Sequence, residues 1–183
     1  MDQGLFQGSI SDLPDGVDTN DLNSLDGTSA SDIYAVGDGG RIFHYNGSSW
    51  KRIECPALHH LQQVRCYGPD EVWICGYERT LLRGNARDGF KVIMEGKPQF
   101  PTWWSLAKFQ DHLYLANSDG LFRMTMDGHL SLVKSGLKPE IATYKLDAID
   151  GPDGALWSFG AKDLTRFDGK KWERFQDPDN KPI

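Results

Sequence analysis

The chain has 183 residues, with 26 acidic against 20 basic side chains and a formal net charge of -6 at pH 7. That length suits one domain with a real core, and the 20 glycines sit largely in turn positions, which speaks for many short strands rather than disorder. No apolar run of about 18 residues exists, which excludes a transmembrane helix.

Met1 to Phe6 has no basic region and no apolar stretch of signal-peptide length. The three cysteines, Cys55, Cys66 and Cys75, are odd in number and irregular in spacing. They read as reduced thiols of a cytoplasmic protein. Charge is unevenly placed. The first forty residues hold eight aspartates (Asp2, Asp12, Asp15, Asp18, Asp21, Asp26, Asp32, Asp38) and no Lys or Arg, so the rest of the chain carries +2. Such a field repels nucleic acid and anionic lipid and speeds the encounter with a basic partner.

In chain order, residues 1–21 form an acidic N-terminal segment. Within it Gly4 to Ile10 echoes Gly120 to Met124, which predicts an extra N-terminal strand that clasps the remainder. Residues 22–183 form a repeat domain, with units at about 22–53, 61–93, 104–133 and 144–175. Opening strands are predicted at Leu22 to Leu25, Leu61 to Cys66, Trp104 to Phe109 and Tyr144 to Ile149. A signature strand follows in each unit: Asp32 to Gly37, Glu71 to Gly76, His112 to Asn117 and Ala155 to Gly160. Its aromatic residues, Tyr34, Trp73, Tyr114 and Trp157, are spaced by 39, 41 and 43.

Third strands are expected at Arg41 to Tyr45, Thr80 to Arg83, Leu121 to Met124 and Leu164 to Phe167. Asn46-Gly47, Asp127-Gly128 and Asp168-Gly169 then supply hairpin turns, because these dipeptides tolerate positive φ. Fourth strands follow at Trp50 to Ile53, Phe90 to Ile93, Leu130 to Val133 and Trp172 to Phe175. A period near ~40 residues made of short alternating strands marks a β-propeller. Sheets this small hide both faces only by packing against one another, so each signature aromatic is expected between neighbouring blades.

At Asp32-Ile33-Tyr34-Ala35-Val36-Gly37-Asp38-Gly39-Gly40-Arg41-Ile42, Tyr45-Asn46-Gly47 and Trp50 the chain resembles bacterial β-propeller repeat proteins. Leu156-Trp157, Phe167-Asp168-Gly169 and Trp172 echo the pattern. The resemblance implies an all-β propeller of about four four-stranded blades. It does not extend to the Gly-His and Trp-Asp pairs of WD40 proteins or to the aspartate boxes of sialidases.

The connections between units are the longest loops: Glu54 to His60, Met94 to Trp103 and Lys134 to Thr143. Each contains proline, which lowers the entropy lost on ordering a loop. They carry large side chains suited to interface anchoring. The expected partner-binding residues are therefore His59, His60, Phe100, Trp103 and Ile141, with Asp12, Asp15, Asp18 and Asp21 as the electrostatic complement. Tyr144 belongs to the same set of large loop-edge residues, whereas Trp104 is expected to cover a blade end.

Other constellations are weaker. Cys55, His59, His60 and Cys66 lack a recognised zinc spacing. Asp12, Asp15, Asp18 and Asp21 recur every third residue, unlike a calcium loop. Ser29, Ser31 and His44 with nearby aspartates lack a nucleophile elbow. No cofactor and no metal is expected. The leading function is a non-catalytic protein-binding propeller; analogy and charge extend this to an immunity protein that neutralises a basic toxin domain. A carbohydrate-binding or glycan-hydrolysing propeller, and a structural segment of a larger propeller, are the alternatives. A homodimer would complete an open array.

Overall fold

The computed structural model describes residues 21–176 except 126, 150 and 152. The chain divides between Lys97 and Pro98 into two compact units. The N-terminal strand expected at 4–10, and Asp12, Asp15 and Asp18, lie outside the described residues.

Unit one holds two blades. The first consists of β1 (Leu22–Ser29), β2 (Asp32–Gly37), β3 (Arg41–Tyr45) and β4 (Trp50–Ile53). The second consists of β5 (Leu61–Gly68), β6 (Glu71–Gly76), β7 (Leu81–Asn85) and β8 (Gly89–Met94). Unit two holds β9 (Ser105–Phe109), β10 (His112–Asn117), β11 (Gly120–Met124) and β12 (Leu130–Leu132), then β13 (Lys145–Ile149), β14 (Ala155–Phe159), β15 (Leu164–Phe167) and β16 (Trp172–Phe175). In every sheet the strands pair antiparallel in chain order. The result is an all-β propeller fold of four four-stranded blades.

The period-two pattern decides which residues face the next blade. In unit one Tyr34, Val36 and Ile42 of the first blade pack on Leu61, Val64, Val72, Ile74, Leu82 and Phe90 of the second. In unit two Ala107, Phe109, Tyr114, Ala116 and Leu121 pack on Leu146 and Leu156. Each Val, Leu, Ile or Phe among them stabilises by roughly 1.5–3 kcal/mol on burial. A net hydrogen bond contributes about 1 kcal/mol, so packing joins the blades and polar contacts fix their register.

Two of those polar contacts repeat. Ser24 Oγ accepts the Val64 amide at 3.2 Å, and Ser105 Oγ accepts the Leu146 amide at 2.9 Å. Ser24 pairs with Val36 and Ser105 with Ala116, so both serines hold the same place in an opening strand. Asp26 Oδ2 adds a further link by accepting the Cys66 amide at 2.9 Å.

In the first, second and fourth blades the signature strand runs into glycine for a steric reason, whereas the third has Asn117 there. Gly37 and Gly76 are extended, with φ of -170° and -172°, so conformation does not demand glycine. A Cβ would stand 1.8 Å from Asp21 O at Gly37, 2.2 Å from His60 O at Gly76 and 2.1 Å from Ala142 O at Gly160. The chain entering each opening strand crosses there, backbone against backbone. The hairpin glycines Gly47, Gly128 and Gly169 do need their freedom, with φ of 90°, 86° and 94°.

The signature aromatics divide. Tyr34 and Tyr114 lie between blades as expected, and Tyr34 Oη accepts the Ala86 amide of the neighbouring blade at 2.9 Å. Trp73 is buried beneath the Arg83 guanidinium, 5.2 Å from its ring centre. Trp157 is only half-buried and stacks on Phe175 of its own blade at 5.4 Å.

Candidate functional site

In unit one the connection from β4 to β5 meets the turns that follow β2 and β6. His59 Nε2 donates to Glu95 Oε1 at 3.0 Å and lies 3.5 Å from Glu78 Oε2. His60 Nδ1 lies 2.9 Å from Asp38 Oδ1, and its ring packs on Tyr77 at 5.0 Å. Hydrogen bonds from Asn23 and His60 hold the Asp38 carboxyl below its ordinary pKa. The Tyr77–Arg79 turn places Glu78 and Arg79 at φ of 53° and 56°. The equivalent Asp38–Gly40 turn has Gly39 and Gly40 in that conformation. Tyr77 is 43 % exposed and Leu58 88 % exposed. The outcome is an acidic, aromatic face built from His59, His60, Tyr77, Leu58, Asp38, Glu78 and Glu95.

His59 and His60, expected as partner contacts, therefore meet on one face, each already held by a carboxylate. Asp38, Glu78 and Glu95 carry that arrangement and were missed by sequence reasoning. Their signal was available: Asp38 and Glu78 occupy equivalent turns one period apart.

In unit two the expected anchors separate. Phe100 is 42 % exposed. Trp103 is fully buried, edge-on to Phe122 at 5.3 Å, so it is a core residue and not a surface anchor. Ile141 is buried in the apolar cluster between the two blades. Both were read as exposed because they lie in proline-containing loops; the loops fold their apolar side chains inward. The aromatic pair at the surface is instead half-buried Trp104 and exposed Tyr144, with ring centres 5.1 Å apart. They flank a cleft of about 400 Å³ that also includes Glu140 and Ile141.

The acidic stretch is less free than its composition suggests. Asp21 forms an ion pair with Arg41. Asp26 binds the Gly27 and Cys66 amides, and Asp32 binds Thr28 and His44. These carboxylates hold the first blade together, so only part of the stretch remains as an open field.

Among the described residues no group of three or more His, Cys, Asp or Glu is arranged to hold a metal ion. The three cysteines are free thiols, and burial pushes the pKa of each upward, which suppresses thiolate chemistry. His44 Nε2 lies 2.8 Å from Asp32 Oδ1, but Ser29 and Ser31 bond to each other at 3.2 Å. The hydroxyl that reaches Asp32 belongs to Thr28, on the carboxylate rather than the imidazole. A histidine and an acid meet there without a nucleophile in line. No helix among the described residues is long and apolar enough to cross a membrane.

No protein-family profile matches the chain. Over 153 residues, 84 % of its length, it is 35 % identical to Immune protein Tsi7 of Pseudomonas aeruginosa strain PAO1. The chain spans about half, 48 %, of that relative's length. Among solved structures it resembles YCF48 bound to D1 peptide, with a TM-score of 0.60 at 12 % identity, covering 86 % of this chain and 55 % of that one. It also resembles the extracellular domain of the putative one-component system BT4673 from B. thetaiotaomicron, with a TM-score of 0.63 at 18 % identity, covering 87 % and 22 % of the two chains. The sequence match places the chain as homologous to an immunity-type bacterial protein, and the structural matches establish the propeller fold.

Proposed function

We propose that this chain is a non-catalytic, protein-binding propeller of the immunity kind, which acts in the cytoplasm by binding a toxin domain and blocking it. The observation that carries the reading is the 35 % identity to an immune protein across 153 residues. The acidic, aromatic face of unit one supports a finer statement: the toxin domain is basic. Tyr77, His60 and Leu58 supply contact area, while Asp38, Glu78 and Glu95 supply charge. Aromatic anchors rimmed by charge are what a specific protein interface needs. Asp12, Asp15 and Asp18 strengthen the field that steers the partner in.

The test is capture with tagged protein from the native organism, followed by a growth assay. The expected result is one basic partner at one-to-one stoichiometry, whose expression alone arrests growth and whose effect co-expression of this chain reverses. A stoichiometric partner that is harmless overturns the neutralising role. Binding that holds unchanged as salt is raised overturns the basic-partner reading and leaves neutralisation standing.

A further inference from the structure

We infer that unit two carries a second binding site, a cleft that takes an acidic peptide segment in extended conformation. The cleft lies between the outer edge of the third blade and the last hairpin of the fourth. Its volume is about 530 Å³, within the ~300–1,000 Å³ typical of ligand sites. Its walls include four cations, Arg123, Lys134, Lys170 and Lys171, and no acid. None of the four forms an ion pair with a described carboxylate. The acids nearby are already engaged. Asp168 accepts the Lys170 and Lys171 amides at 2.8 and 2.9 Å, and Glu140 accepts from Ser135 and the Ile141 amide. Glu140 and Asp168 act on Lys134 and Lys171, yet the four cations leave a local surplus of positive charge in a chain whose net charge is -6.

The cleft surface is mainly polar, with an aromatic patch on one wall. Phe167 and Trp172 stack with ring centres 5.0 Å apart, and Tyr114 lies beside them with its hydroxyl bonded to Arg123. A ligand of bare charge would leave those rings unused. An acidic chain bearing apolar residues satisfies both, and the backbone supplies a reason for its extended shape. The strand β12 is the edge of its sheet, and its Ser131 and Leu132 line the cleft. Val133 donates its amide to Leu121 O at 2.8 Å, so by alternation the Leu132 amide and carbonyl turn toward the open edge. An added strand bonds to that edge while alternate side chains reach the cations and the rings. This occupant is opposite in charge to the toxin domain proposed for unit one, so the site is independent of that reading.

The test uses the full chain and no toxin. A short fluorescein-labelled peptide alternating Glu with Val is titrated by fluorescence anisotropy, with its Lys-for-Glu counterpart as control. The expected result is saturable binding of the acidic peptide only. The double variant Lys170→Glu, Lys171→Glu changes exposed hairpin side chains, so it keeps the wild-type melting temperature, and it lowers the affinity at least ~10-fold. Methylating alternate peptide nitrogens lowers it comparably, because the edge bonds are lost. Absence of saturable binding overturns the proposal. So does affinity unchanged by the charge reversal. Equal affinity for the N-methylated peptide, or for tripolyphosphate, makes the cleft a plain anion site and overturns strand addition.

Discussion

Arg174 grips Asp163 with two bonds, Nε to Oδ1 at 2.7 Å and Nη2 to Oδ2 at 3.0 Å. The side chains are 13 % and 4 % exposed. The same carboxylate accepts the Ala142 amide at 3.1 Å, and Arg174 also reaches the Pro139 carbonyl at 3.0 Å. The pair therefore ties the last hairpin of the fourth blade to the connection that enters it. Breaking a buried pair from one side leaves an uncompensated charge and costs about 3–5 kcal/mol. R174A is expected to lose about 3 kcal/mol in urea unfolding. A loss below ~1 kcal/mol would mean that water reaches the carboxylate once the arginine is gone.

The two serine contacts between blades differ in burial. Ser105 and Leu146 are buried, whereas the Ser24 to Val64 bond is partly wetted. An unsatisfied buried amide costs about 1–3 kcal/mol. S105A is expected to lose that much. S24A is expected to lose less, because water replaces the missing hydroxyl. Equal losses would show that hydration plays no part, and paired denaturation curves decide it.

Glycine substitutions separate crowding from conformation. At Gly76 a Cβ would stand 2.2 Å from the His60 carbonyl, which only a backbone shift relieves. G76A is expected to cost about 3 kcal/mol, at the upper end for overpacking. At Gly39 nothing lies within 4 Å, but φ is 63°. G39A is expected to cost about 1 kcal/mol, the penalty of the left-handed conformation alone. Thermal melts of the two variants test the order.

The hairpin joining β7 to β8 predicts an acid titration. Arg87 and then Asn85 hydrogen-bond the Asp88 carboxylate and hold its pKa at about 2. A depressed carboxylate contributes stability above its ordinary value and loses it as pH falls from about 4 toward 2. The group is exposed, so the observable is the titration itself. Carboxyl-carbon NMR should place its midpoint near 2, and R87A should return it toward the ordinary value. An ordinary midpoint in the wild type would show that Arg87 does not hold the carboxylate in solution.

Trp103 and His60 were expected to act alike, and the structure separates them. W103A empties a fully buried site and is expected to cost about 3–5 kcal/mol. H60A removes an exposed ring and is expected to change stability by less than ~1 kcal/mol while weakening the protein partner. Melting temperature and complex formation, measured on both variants, distinguish a core residue from a contact residue.

The blades were legible because alternation and Gly-containing hairpins are local signals. Boundaries were less so. Trp104 and Tyr144 read as strand residues, but β9 and β13 begin one residue later, at Ser105 and Lys145. Both aromatics still donate their amides to the neighbouring strand, to Ala116 and Phe159, which explains the strand-like pattern. Loop residues were hardest. Whether Trp103 or Ile141 points inward depends on apolar partners far along the chain, and local composition does not record that. The acidic stretch misled for the same reason: Arg41, His44 and the Cys66 amide, which engage Asp21, Asp32 and Asp26, lie well downstream.

The serine bonds bear on how such a chain grows. Each joins a residue to one a whole period further on, 40 positions from Ser24 and 41 from Ser105. A tandem duplication of one period therefore copies the acceptor and the donor together. A copy of a serine-bearing blade arrives with the hydroxyl that accepts the next blade's amide, whereas the second and fourth blades hold Gln63 and Lys145 at that place. Fractional insertions lack that property, since they carry one half of the bond without the other. Gene lengthening in whole blades is the route that this contact leaves open.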